Sequence, residues 1–115
     1  MKIRVMVFEN KMMIRRLTVS LAREGIEVLT GDPEAIKQER FDVAVVDGLM
    51  KETEAVCCRI RELGDVPVLL MVSQKQADWG KLQSLDPDGY IPDGTVQAEL
   101  GARLRAVVRR CSLNR

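Results

Sequence analysis

The chain has 115 residues, with 18 Lys and Arg against 17 Asp and Glu and no histidine. That length supports one domain with a core of two or three layers, and a net charge of +1 leaves no electrostatic footprint for wrapping nucleic acid. The absence of histidine excludes Ser-His and Cys-His nucleophiles, and Cys57, Cys58 and Cys111 have neither disulfide-framework nor zinc-site spacing.

Ile3–Phe8 is rich in β-branched and apolar residues and reads as a strand. Over 12–24, Ile14, Leu17 and Leu21 recur at helical spacing, and Gly25 stops that helix. A short strand follows over 27–30. Asp32, Pro33 and Glu34 then form an N-cap, a first-turn proline and a favourable early carboxylate for a brief helix to about Arg40. The third strand, 42–47, is an apolar run closed by Asp47. Val56, Ile60 and Leu63 mark the buried stripe of a helix over 52–63, with Gly64 as its stop. A fourth strand is predicted over 66–72, then a weak helix over 73–84 that Gly80 interrupts and whose one large apolar residue is Trp79. Asp86, Pro87, Asp88 and Gly89 form a turn, Tyr90 and Ile91 a short fifth strand, and Thr95 starts a last helix with a stripe of Val96, Leu100, Leu104 and Val107. Residues 1–110 are expected to form the domain, with 111–115 the start of a tail or linker. No run is long enough to cross a bilayer and none resembles a signal-peptide core, so a soluble, cytoplasmic protein without membrane contact is expected.

Five strands alternating with five helices require right-handed crossovers. The pattern predicts an α/β, flavodoxin-like, doubly wound three-layer sandwich with a five-stranded parallel sheet in the order 2-1-3-4-5. Strands 1 and 3 are then neighbours, and Glu9 and Asn10 face Asp47 across the switch-point crevice. Carboxylates at strand ends without a glycine-rich phosphate loop suit Mg2+ with oxygen ligands and an incoming phosphoryl group, for which Asp47 is the candidate nucleophile. The structural alternative is that Asp47 caps a turn or the next helix.

In this order the segments resemble the receiver domain of two-component response regulators from Ile3 to Arg110. The resemblance is carried by Glu9-Asn10 after strand 1, Asp47 after strand 3, Val66-Pro67-Val68-Leu69-Leu70 at strand 4, Asp88-Gly89-Tyr90 at strand 5, and the terminal run from Glu99 to Arg110. The last helix is most similar to those of the winged-helix transcription-factor branch. The resemblance implies a signal-receiving module, not an enzyme, cut from a longer DNA-binding regulator, with any DNA contact made by an output domain outside this chain. It implies Asp47 as phosphoacceptor, Glu9, Asn10 and the Leu49 backbone carbonyl beside it as metal positions, and Tyr90 as a switch residue. It also implies a sensor histidine kinase as partner, and a homodimer through the fourth helix, fifth strand and fifth helix, with Asp88, Arg103 and Arg109 on its face.

Several positions depart from the family pattern. The acidic pair falls on Glu9-Asn10 or on Phe8-Glu9, so one acid is missing in either register. The strand-4 hydroxyl falls on Val72, or on Ser73 if that strand is one residue longer. The lysine after strand 5 falls on Asp93 or is deleted, and an anion there turns an attraction of roughly 4 kcal/mol at an effective dielectric of 20 into a repulsion of similar size, reduced by solvent. The expectation is a degenerate receiver. Its alternative is a phosphorylation-independent module for dimerisation or protein binding. A small enzyme or flavin protein is a third reading, for which the chain lacks the polar groups and the phosphate loop. Adjacent Cys57 and Cys58 are expected to point in different directions as core or boundary residues. Trp79 is a partner contact if exposed and core if buried.

Overall fold

The computed structural model describes residues 3–8, 18–19, 21–31, 36, 40–73, 75, 78–92, 94–95 and 97–113. Its five strands are β1 (Ile3–Phe8), β2 (Ile26–Thr30), β3 (Val43–Asp47), β4 (Val68–Val72) and β5 (Gly89–Pro92). They form one parallel sheet in the order β2-β1-β3-β4-β5. Three helices are described, α1 (Thr53–Glu62), α2 (Trp79–Ser84) and α3 (Gln97–Leu113). They correspond to the last three of the five predicted helices. Thr18, Val19, Leu21 and Ala22 are helical, as the first predicted helix requires, while most of 32–39 lies outside the described residues.

Alternation along the strands builds two cores. Val5, Val7, Val43, Val45 and Leu69 pack with Leu21 and with Leu100, Leu104, Val107 and Val108 of α3. Met6, Phe8, Ala44, Val46, Leu70 and Val72 pack on the other face with Val56, Cys57 and Ile60 of α1 and with Leu82 of α2. Successive side chains of a strand point to opposite faces, so apolar runs without alternating polarity are what a sheet covered on both sides demands. Gly25 and Gly64 both have positive φ, 77° and 112°, consistent with their role as helix stops.

The structure corrects several local expectations. Leu63, predicted on the buried stripe, is exposed, because α1 ends at Glu62 and Leu63 is its C-cap. Gly80 lies inside α2 instead of breaking it, and the helix begins only at Trp79, where the Asp78 carboxylate accepts the Lys81 amide at 3.2 Å. The amide and hydroxyl of Thr95 donate back to the Pro92 carbonyl, and the described part of α3 begins at Gln97, with Val96 outside the described residues. Cys57 is buried and Cys58 exposed, as adjacent helical positions require.

Two aspartates close the amino-terminal edge of the sheet by the same device. Asp42, just before β3, accepts the Arg4 amide of β1 at 2.8 Å and donates its own amide to the Arg4 carbonyl. Asp88, just before β5, accepts the Val68 amide of β4 at 2.7 Å and returns its amide to the Val68 carbonyl. Both satisfy backbone groups that the sheet ladder leaves open at its end.

Two glycines meet neighbours of different stiffness. A Cβ on Gly31 lies 2.5 Å from the buried Phe8 ring, whereas one on Gly101 lies 2.6 Å from the Glu24 carboxylate, the end of a flexible side chain. Gly31→Ala is therefore expected to cost about 1–3 kcal/mol and Gly101→Ala less than about 1 kcal/mol, its helix gain offsetting the displaced Glu24–Arg105 pair. Urea unfolding midpoints of the two variants check the order. Burial pushes the Cys57 thiol above its usual 9.0, against a smaller lowering by Arg61. The native thiol thus keeps its proton where the unfolded one loses it, so stability falls as pH rises past 9.0. Urea unfolding at pH 8 and pH 10 is expected to show a loss that Cys57→Ala reduces.

Candidate functional site

Asp47 is the first polar side chain of β3. Val43, Ala44, Val45 and Val46 are buried, and Asp47, half-buried, emerges at the carboxyl edge opposite Met71 of β4. Its Oδ1 accepts the Leu49 amide at 2.9 Å, and among the described residues nothing donates to its other oxygen. The carboxylate thus closes a small turn with one oxygen. The Gly48 amide donates to the Met71 carbonyl at 2.8 Å, tying the start of the loop to β4.

Thr53 was not among the residues the sequence singled out. At the first position of α1 and buried, it places its Oγ1 2.7 Å from the Asp47 carbonyl oxygen and 2.8 Å from that of Met50. The available signal was periodic, since Thr53 lies on the same helical stripe as Val56 and Ile60. A polar residue there needs hydrogen-bond partners.

Of the other predicted positions, Glu9, Asn10 and Asp93 lie outside the described residues. Phe8, the alternative first member of the acidic pair, has its ring in the core. β4 ends at Val72, which is buried, and Ser73 follows it half-buried. Leu49 is exposed on the loop after Asp47. Magnesium takes hard oxygen donors, and the Asp47 carboxylate and the loop carbonyls are donors of that kind. Among the described residues no group of three or more acidic, histidine or cysteine side chains converges.

Tyr90 is half-buried in β5. Its ring meets the indole of Trp79 edge-on, centroids 5.4 Å apart at 75°, and Trp79 is 42% exposed. The Tyr90 carbonyl accepts the Arg103 guanidinium at 2.9 Å, and Arg103 also pairs with Glu99 at 2.9 Å. The predicted switch residue and two of the three predicted dimer-face residues therefore have intramolecular work: Tyr90 against Trp79, Arg103 on β5 and Asp88 on β4. Arg109 is exposed on α3. At the end of α1, Arg61 donates to the carbonyls of Leu85 and Asp86, holding a turn in which Asp86 has φ 50°. A groove of about 280 Å³ opens beside that turn, lined by Arg61, Asp65, Val66, Asp88 and Cys111, at the sheet edge away from Asp47.

No protein-family model matches the chain. The response regulator MprA of Mycobacterium ulcerans (strain Agy99) is 30% identical over 127 aligned residues, covering 98% of this chain and 53% of the relative. The alignment is longer than this chain, so the relative carries residues that this chain lacks. The MprA response regulator of Mycobacterium leprae (strain TN) is 32% identical over 97 residues, covering 81% of this chain and 41% of the relative. Among solved structures, the signal receiver domain of a modulated diguanylate cyclase from Desulfovibrio desulfuricans G20 superposes with a TM-score of 0.85 at 17% identity, each chain fully covered. A response regulator receiver domain protein from Clostridium thermocellum gives 0.83 at 15% identity, over 98% of this chain and 99% of that one. The chain is a CheY-like receiver domain of the response-regulator family. It spans about half the length of the curated relatives it matches. Among the described residues no helix is long and apolar enough to cross a membrane.

In this receiver domain Trp79 is the single tryptophan, so the emission reports the surroundings of this one indole, which include the Tyr90 ring. Tyr90→Ala uncovers the indole and is expected to shift its emission several nanometres to the red. An unshifted spectrum would show that the ring contact does not persist in solution.

Proposed function

We propose that this receiver domain is the signal-receiving part of a two-component response regulator, with Asp47 as its phosphoacceptor and an impaired metal and phosphoryl site. The observation that carries the reading is the placement of Asp47, which follows four buried strand residues at the carboxyl edge of the sheet with one carboxylate oxygen that takes no donor among the described residues. Open α/β sheets bind ligands at that edge. The donor is a sensor histidine kinase, and the setting is cytoplasmic.

Asp47, Glu9 and the carbonyl of Leu49 are the groups that would hold magnesium, with Asn10 a neutral position beside them. Magnesium, when bound, neutralises charge on the transferring phosphoryl group. Ser73 is the hydroxyl offered to a phosphoryl oxygen, and Asp93 puts an anion where a cation would favour it. The site is weakened by the single missing acid and by that reversed charge, both read from the sequence.

Output passes through α2, β5 and α3, the elements joined by Trp79, Tyr90 and Arg103, to a homodimer with Asp88, Arg103 and Arg109 at its face. Asp88 and Arg103 enter it with part of their hydrogen-bonding capacity already used within the chain. We further propose that the parent protein is a DNA-binding regulator of the winged-helix branch, whose DNA contacts lie outside residues 1–110. The twofold greater length of the curated relatives supports this.

The test is an amide NMR titration with magnesium and then beryllofluoride, which mimics an aspartyl phosphate. Shifts at Gly48, Leu49 and Tyr90 that are absent from Asp47→Asn are expected. An unchanged spectrum at millimolar magnesium would leave the alternative, a phosphorylation-independent dimerisation or protein-binding module.

A further inference from the structure

The loop that follows Asp47 is closed by one buried hydroxyl. Thr53 is 2% exposed, and its single hydroxyl proton is shared between two carbonyl oxygens, those of Asp47 at 2.7 Å and Met50 at 2.8 Å. The backbone bonds that span the same loop are longer, with the Met50 amide 3.3 Å from the Asp47 carbonyl and the Thr53 amide 3.4 Å from the Met50 carbonyl. The short contacts that set the loop's shape are thus those of the side chain. They engage the carbonyls of residues 47 and 50 and leave out those of Gly48 and Leu49. From the other side, the Leu49 amide is committed to Asp47 Oδ1 at 2.9 Å.

We infer that Thr53 is a positioning residue for Asp47. Its hydroxyl holds the loop in the shape that occupies one carboxylate oxygen with the Leu49 amide and, among the described residues, leaves the second, together with the Leu49 carbonyl, available to a cation or a phosphoryl group. The inference deepens the proposed function and rests on Asp47 being the acceptor. The loop has no proline and its glycine immediately follows Asp47, so the hydroxyl supplies a restraint that loop composition does not. Thr53→Val removes it at nearly constant volume, and Thr53→Ser keeps it while giving up the methyl group.

The experiment is amide hydrogen exchange at Leu49 in the full chain, combined with a magnesium titration followed at Gly48 and Leu49, for the unsubstituted protein, both Thr53 variants and Asp47→Asn. A lost hydroxyl bond corresponds to a change of about fivefold. Thr53→Val is expected to exchange Leu49 about fivefold faster relative to core amides and to need about fivefold more magnesium for half the shift. Thr53→Ser is expected to restore both even where it lowers overall stability, which a purely structural role does not predict. Unchanged Leu49 exchange in Thr53→Val overturns the inference. So does Thr53→Ser losing Leu49 protection, an outcome readable even if the valine variant fails to fold. An unsubstituted chain that shows no Asp47-dependent magnesium shift sinks the acceptor reading, and Leu49 exchange then decides the role of Thr53 separately.

Discussion

Coverage of β3 on both faces is the constraint on which the rest depends. Val43, Ala44, Val45 and Val46 alternate between two apolar cores, one against α3 and the other against α1 and α2. A charged side chain anywhere in that run would be buried without a partner, at a cost of several kcal/mol. The first carboxylate is therefore tolerated only where the strand ends, and parallel strands joined by right-handed crossovers all end on the same side. The carboxyl edge is thus the first place along this strand where a carboxylate can sit.

The two edges of the sheet use carboxylates differently. At the amino edge, Asp42 and Asp88 each satisfy a neighbouring strand's terminal amide and give an amide back, so their charge is spent on closing the ladder. At the carboxyl edge, Asp47 gives one oxygen to its own loop, and among the described residues nothing donates to the other. The same residue type is structural or chemically available according to how many donors the surrounding backbone directs at it.

Around Tyr90 the described contacts are interlocked. The ring lies against Trp79 of α2 while the carbonyl of the same residue accepts Arg103 of α3, so β5 is gripped from both flanking helices. The Arg103–Glu99 pair is substantially exposed and adds little by itself. Its consequence is orientational, since it holds the guanidinium where the Tyr90 carbonyl can take it. Displacing β5 at Tyr90 would therefore disturb contacts with both helices, the ring contact with α2 and the carbonyl contact with α3.

The run Phe41 to Asp47 determined by itself that a buried strand ends in a carboxylate, and the alternation of such runs with helical stripes determined a doubly wound parallel sheet, because apolar periodicity and crossover handedness are properties of the chain. The stripe of Leu100, Leu104 and Val107 was legible for the same reason, and all three are buried. Only the tertiary structure decided how polar groups are used. Thr53 is a single hydroxyl on an otherwise apolar stripe, and nothing local says that it reaches back to the Asp47 and Met50 carbonyls. Asp88 reads as a turn residue until β4 is placed beside it, and Leu63 reads as core until the helix ends one residue earlier. Apolar burial is additive along a sequence and announces itself by period, whereas a hydrogen bond depends on the distance and direction of one partner, which is set only when separate segments meet.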